Sequence, residues 1–255
     1  MKIRPIFPAI LLLVLAACRP PAPEPKGLTE KHNFIVLLDL SDRLIVQPDQ
    51  PARDKEIIKA IFQLFEDRVR KELYIKSRDE IKVVIAPQRG SGLRTDVYEE
   101  KLYVNMESIQ YYYRRQKEEE RRDVFLSALD ELYDKAVFSK TPEDYYGADI
   151  WKYFYEDLPT DYSKDTLTQN YLFILTDGYP IVGKDISKLQ PVKESYNDLH
   201  IIVLEVSPRD KDLEFDRIMD MWKEWFDSMD IKNYTFIKRK AITKEIEQVK
   251  EITGD

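Results

Sequence analysis

The sequence predicts an α/β domain with a doubly wound, mostly parallel central sheet and helices on both faces, and three observations carry that expectation. Short apolar runs of strand length, rich in β-branched and aromatic residues, alternate with segments whose apolar residues recur at three and four. The runs are near-continuously hydrophobic, as strands buried on both faces of a helix-covered sheet are. The chain from about residue 28 onward is long enough for one sizeable core and too short for two.

The elements follow in order. Phe34 to Leu38 is the first strand. Asp54 to Leu73 is a helix, because Ile57, Ile58, Ile61, Leu64, Phe65 and Val69 fall on one face. Ile81 to Ala86 is the second strand. Pro87 to Asn105 fits the alternation less well: Arg89-Gly90-Ser91-Gly92 lacks the spacing and the Lys-Ser/Thr of a phosphate loop, and Val97 to Val104 reads as an antiparallel edge strand. A helix is expected from about Ser108 to Ala136, with Tyr111 to Tyr113 marking a start packed on the core and Lys117 to Arg122 forming a solvated, ion-paired face.

Behind a turn at Gly147, Asp149 to Leu158 predicts a helix that turns Trp151, Phe154, Tyr155 and Leu158 inward. Tyr171 to Leu175 and His200 to Val206 are further core strands. Between the last of these and a closing strand at Tyr234 to Lys238, Leu213 to Met229 presents a broad aromatic face suited to core packing. Thr243 to Ile252 is the last helix.

The ends and the composition bound the function. Lys2 and Arg4, the apolar stretch Ile6 to Ala16 and the tetrapeptide Leu15-Ala16-Ala17-Cys18 resemble a bacterial lipoprotein leader, the apolar run being well short of a membrane span. The resemblance implies cleavage after residue 17, acylation of Cys18 and an anchor in the bacterial cell envelope, in the outer membrane sooner than the inner because Arg19 is not the acidic residue associated with inner-membrane retention. Several chains on one cysteine hold far better than one. Residues 18 to 27 are proline-rich and form a semi-rigid tether, and residues 28 to 255 form the domain. Cys18 is the chain's one cysteine, so no disulfide supports the fold.

The formal charge is −7, and more negative by Lys2 and Arg4 once the leader is gone, which argues against nucleic acid and against a polybasic membrane contact. With two histidines and no free thiol, zinc-type and Cys/His catalytic sites drop out.

Two segments carry the candidate chemistry: Phe34-Ile-Val-Leu-Leu-Asp39-Leu40-Ser41-Asp42-Arg43 and Tyr171-Leu-Phe-Ile-Leu-Thr176-Asp177-Gly178-Tyr179. Each is a buried strand ending in an aspartate, at the carboxyl edge where doubly wound sheets bind ligands. If the strands are neighbours, Asp39 and Asp177 converge with Ser41 and Thr176 beside them. Two carboxylates so placed need a neutralising charge. Oxygen-only ligands suit Mg²⁺ or Mn²⁺, with Ca²⁺ second. Arg43 offers the alternative of a salt-bridged site with no metal, or it stands on the surface.

At these residues the chain resembles the von Willebrand factor A domain family. Asp39-Leu40-Ser41 is similar to the start of its D-x-S-x-S motif and Thr176-Asp177-Gly178 to its later aspartate after a central strand, and the alternation from about His32 to Asp255 agrees. The resemblance implies a metal-ion-dependent adhesion site and a protein partner whose carboxylate completes the coordination. The second serine of the motif is Arg43 here, and at the family's threonine position the chain reads Gly147-Ala148-Asp149, where Asp149 is either a ligand or an ordinary helix cap. Tyr145, Tyr146 and Tyr179 lie in loops near the same edge, where tyrosines serve protein binding or cover the rim.

The expected function is therefore a membrane-anchored protein-binding module and not an enzyme. The competing expectation is a haloacid-dehalogenase-like, Mg²⁺-dependent phosphatase with Asp39 as nucleophile and Lys184 and Asp185 as helpers, although that family's later acidic pair is missing: Ser207-Pro208 follows His200 to Val206. Ser41 has no G-x-S-x-G elbow for a hydrolase.

Overall fold

The computed structural model describes residues 29–88, 93–137, 147–181, 189–192, 194–207 and 211–254. The elements run β1 (Lys31–Leu38), α1 (Arg43–Val46), α2 (Gln50–Lys71), β2 (Glu80–Ile85), α3 (Asp96–Glu99), β3 (Tyr103–Asn105), a 3₁₀ turn at Tyr111–Tyr113, α4 (Arg114–Val137), α5 (Ile150–Glu156), α6 (Leu158–Asp161), β4 (Thr168–Leu175), β5 (Leu199–Val206), α7 (Lys211–Ser228), β6 (Asn233–Lys238) and α8 (Ile242–Thr253). The six strands form one sheet in the order β3-β2-β1-β4-β5-β6, parallel except for the edge pair β2–β3. This is the doubly wound α/β architecture that the alternation predicts, with the order reversing beside β1.

Side chains alternate across a strand, so β1 feeds two cores. Phe34, Val36 and Leu38 join Ile58, Phe65, Phe125 and Val249 from α2, α4 and α8. Ile35 and Leu37 join Phe154, Trp222 and Phe226 from α5 and α7 on the other face. No described helix is long and apolar enough to cross a membrane. The lipoprotein leader, Cys18 and the tether lie outside the described residues, as do Tyr145, Tyr146, Lys184, Asp185 and Arg89-Gly90-Ser91-Gly92.

Four expectations need correction. Burial on both faces holds for β1 but not for β2, where Ile81, Val83 and Ile85 are buried while Lys82 and Val84 are not; next to the short edge strand, the second face is only partly covered. The edge strand at Val97 to Val104 is antiparallel as expected but shorter. Its first half winds into α3, because the four-residue spacing of Tyr98 and Leu102 buries both side chains, with the Leu102 N–H bonded to the Tyr98 carbonyl at 2.8 Å. Tyr111 to Tyr113 do open a helix, but they are exposed, since the turn that carries them lies past the end of β3 where no second layer covers it. Finally, Lys117 to Arg122 is ion-paired on its outer side, as in Arg115–Glu119 and Lys117–Glu120, yet Glu118 turns inward against Glu66 of α2 and is buried.

Candidate functional site

β1 and β4 are paired neighbours in parallel register, with Leu38 opposite Leu175. Asp39 follows Leu38 directly, whereas Asp177 follows one residue later, behind Thr176. The partner of Asp39 is therefore Thr176, whose hydroxyl donates to Asp39 Oδ2 at 2.9 Å. The other carboxylate oxygen accepts the Ser41 backbone N–H at 3.0 Å. Thr176 Oγ1 in turn accepts the Gly178 N–H at 3.1 Å. Asp177 is tied towards β5, its carbonyl accepting the Ser207 N–H at 3.1 Å. All four of Asp39, Ser41, Thr176 and Asp177 are buried.

Gly178 holds this loop in shape. Its φ of 119° is open to glycine and strained for other residues, and a Cβ there would stand 3.1 Å from both Ile218 and Val206. Its carbonyl accepts the Trp222 indole N–H at 2.8 Å.

Arg43 is 2% exposed and sits inside the edge. Its Nε donates to the Asp39 carbonyl at 2.7 Å and lies 4.0 Å from Asp39 Oδ2. Its main partner is Asp54 on α2, held through both terminal nitrogens at 3.2 and 2.5 Å. Gln50 Nε2 and the Tyr133 hydroxyl complete the shell of Asp54 at 2.8 and 3.0 Å. Burial alone would lower the pKa of Arg43, but Asp54 and then Asp39 hold it above its ordinary value, so the guanidinium stays charged. Burial drives the Tyr133 phenol well up, and the Asp54 charge adds to it, so Tyr133 serves as a donor.

Gln50 also bridges to Glu205 Oε2 at 2.8 Å, which extends the network across the sheet. Glu205 sits at a bulge in β5 with φ of 65°, a left-handed conformation that side chains other than glycine, Asn and Asp rarely adopt. Arg53 holds it at 2.6 and 3.0 Å and reaches Glu245 at 2.9 Å. Arg239 bonds Gln50 and Asp49 from β6's end. The sequence marks Glu205 only as the one charged residue in an apolar run. Gln50, Asp54 and Tyr133 carry no local signal, because their partners come from different elements.

Two buried carboxyl groups, Glu245 in this network and Glu118 on α4, are held above the usual carboxylate range. Glu118 is pushed up to about 7 by burial and by Glu66, and Glu245 to about 8 by burial and by Glu205. His32, buried at the opposite end of β1, is lowered to about 3 by burial and then by Arg68. A carboxyl raised from 4.5 gives stability that is full below that pH and is lost as pH rises through 7 to 8. A histidine lowered from 6.5 gives stability present above 6.5 and lost as pH falls towards 3. These groups make stability fall on the alkaline side as the two carboxyls ionise and on the acid side as His32 takes up a proton, and thermal melts across pH should show both arms. In Glu118→Gln the fall on the alkaline side should become shallower; an unchanged slope would remove Glu118 from the account.

The donor set does not fit a divalent cation. Both oxygens of Asp39 accept internal bonds, the Thr176 hydroxyl donates to one of them, and a guanidinium stands within 4.0 Å of that same oxygen. Asp149 lies just before α5, but its carboxylate makes no cap bond and accepts the Trp151 indole N–H at 3.0 Å instead. Among the described residues, no group of three or more His, Cys, Asp or Glu could hold a metal ion. Tyr179 is half-buried against the second core, its backbone N–H facing Asp177 Oδ1 at 3.5 Å.

No family model and no curated protein matches the chain. Among solved structures, two of proximal thread matrix protein 1 from the mussel byssus align with it. One is a second crystal form, at 9% identity and a TM-score of 0.41, and the other has a zinc-occupied MIDAS motif, at 10% and 0.39. Each alignment covers 89% of this chain and 47% or 48% of the other, so this chain spans about half the length of that protein. The conserved hypothetical protein BatB from Bacteroides thetaiotaomicron aligns at 12% identity and a TM-score of 0.34, over 89% of this chain and 100% of its own.

Proposed function

We propose that the protein is a lipid-anchored binding module of von Willebrand factor A type, and that it recognises a protein partner at the edge formed by the ends of β1 and β4 with Arg43, not a metal ion, as its resident charge. The observation that carries this reading is the seating of Arg43 between Asp39 and Asp54. A permanent guanidinium there supplies the neutralisation that a divalent ion supplies in the resembled family, and it comes with its own hydrogen-bond geometry. The partner then meets a preformed surface of loops and needs no carboxylate to complete a metal shell.

The arrangement favours binding over phosphoryl transfer. A nucleophilic aspartate has to be open to a phosphate ester, and Asp39 is buried with both oxygens bonded. With the anchor ahead of Thr29, β1 begins at the end of the sheet opposite Asp39, which puts the Asp39 edge on the far side of the domain from the bilayer.

Four measurements test the reading. Millimolar Mg²⁺ or Mn²⁺ should leave the melting temperature of the full-length protein unchanged, because a ligand bound only by the native state must raise it. The double variant Arg43→Ser/Asp54→Asn, which supplies the family's second serine and removes the carboxylate that Arg43 neutralises, should gain a metal-dependent rise. A partner captured on the full-length protein should be lost from Asp42→Lys at the edge while the unfolding midpoint is kept. A metal-dependent rise in the wild type would overturn the arginine-filled site, and Mg²⁺-dependent hydrolysis of a phosphate ester that disappears in Asp39→Asn would overturn the binding reading altogether.

A further inference from the structure

We propose that the end of the domain opposite the Asp39 edge is a docking surface for the phospholipid bilayer, seated there by exposed tyrosines. The inference rests on the lipid anchor at Cys18 and adds to it a second, non-covalent contact.

The large hydrophobic residues left exposed are not scattered. Of the eight among the described residues, Leu73, Tyr111, Tyr112, Tyr113 and Leu167 lie at the end where β1 and β4 begin, and only Val46, Val97 and Val124 lie elsewhere. Hydrogen bonds tie the segments that carry these residues to the point where the chain enters the domain. The Thr29 hydroxyl donates to the Lys76 carbonyl at 2.7 Å, so the first described residue is fastened to the turn that follows α2. Arg114 ties that turn to the tyrosines through the carbonyls of Ile75 and Ser77, at 2.7 and 2.8 Å. The Lys31 N–H bonds the Leu167 carbonyl at 2.8 Å.

The turn is built in a way that exposes its apolar residue. Leu73 and Tyr74 have φ of 53° and 59°, a left-handed pair at positions where helices ordinarily end on glycine. Tyr74 packs back against the first core, and Leu73 is left 66% exposed. Tyr112 is 79% exposed. Tyrosine, with an apolar ring and a polar tip, suits the headgroup layer of a bilayer.

The tether brings that layer within reach. The ten residues between Cys18 and Thr29 span at most about 35 Å when fully extended, and less in a polyproline conformation. The domain is thus confined near the surface with this end leading, which turns a weak interfacial contact into an effectively intramolecular one. Charge plays little part: Arg115 pairs with Glu119 and Arg78 with Glu107, leaving the surroundings mixed in sign.

The test uses full-length, lipidated protein in vesicles of phosphatidylethanolamine and phosphatidylglycerol that carry a spin-labelled quencher lipid. Acylation of Cys18 leaves no free thiol, so Gln110→Cys gives a single labelling site beside the tyrosines and Val46→Cys a control at the opposite edge. A fluorophore at position 110 should be quenched several-fold more than one at position 46. That quenching should vanish in Gln110→Cys combined with Tyr111→Ser, Tyr112→Ser and Tyr113→Ser, whose exposed side chains can change without loss of the melting temperature. Equal quenching at the two sites, or quenching at 110 that survives the serine substitutions, overturns the proposal and leaves the tyrosines to a protein partner. Absence of the acyl mass on Cys18 overturns the anchor reading and this inference with it.

Discussion

Asp54→Ala is expected to lower the unfolding free energy by roughly 3–5 kcal/mol, the range seen when one member of a buried ion pair is removed. Arg43 would lose both terminal hydrogen bonds while remaining charged in a site that water does not reach, and Gln50 and Tyr133 would lose their acceptor. Arg43→Met should cost a similar amount, because it strands the Asp54 carboxylate instead. Replacing both, Arg43→Met with Asp54→Ala, should cost far less than the sum, since paired charges removed together leave no stranded ion. Denaturant unfolding of the four proteins checks this. Additive costs would mean that the two side chains do not act as a pair, and the arginine-filled edge would lose its support.

How much of this was legible in the sequence depends on the scale of the contact. The strand cores of β1, β4 and β5 were plain from apolar runs, but their first residues were not: Lys31, Asn33, Thr168 and Asn170 are polar and enter the sheet because the neighbouring backbone pairs with them. Asp39 and Thr176 were legible because a strand end is a fixed place in a doubly wound sheet, and register alone then makes them meet. Asp54 was not. It reads as a polar residue near the start of a helix, and its pairing with Arg43 depends on how α1 turns the chain before α2. Glu205 was equally hidden, since the bulge that turns it towards Arg53 and Gln50 is made by tertiary contacts. The three tyrosines at 111 to 113 failed for the opposite reason. Aromatic composition argues for burial, but a turn past the end of the sheet has nothing to be buried against.

Trp222→Ala is expected to cost about 3–5 kcal/mol, as truncation of a fully buried aromatic does. The indole is completely enclosed and packs against Trp225 and Phe226, with ring centroids 5.7 and 5.2 Å away. Its effect should reach the candidate site as well as the core. The indole N–H holds the Gly178 carbonyl, the Gly178 N–H bonds Thr176, and the Thr176 hydroxyl bonds Asp39. Trp222→Phe separates the two roles: it keeps most of the apolar packing and removes only the donor, leaving a buried carbonyl unsatisfied at a cost of roughly 1–3 kcal/mol. Gly178 cannot answer by moving towards its neighbours, because Ile218 and Val206 close the space beside it. Faster amide exchange at Gly178 in Trp222→Phe, with protection kept in the centre of β1, would show that α7 fixes the loop that presents Thr176 to Asp39. Unchanged exchange at Gly178 would mean that the loop is held by the sheet alone.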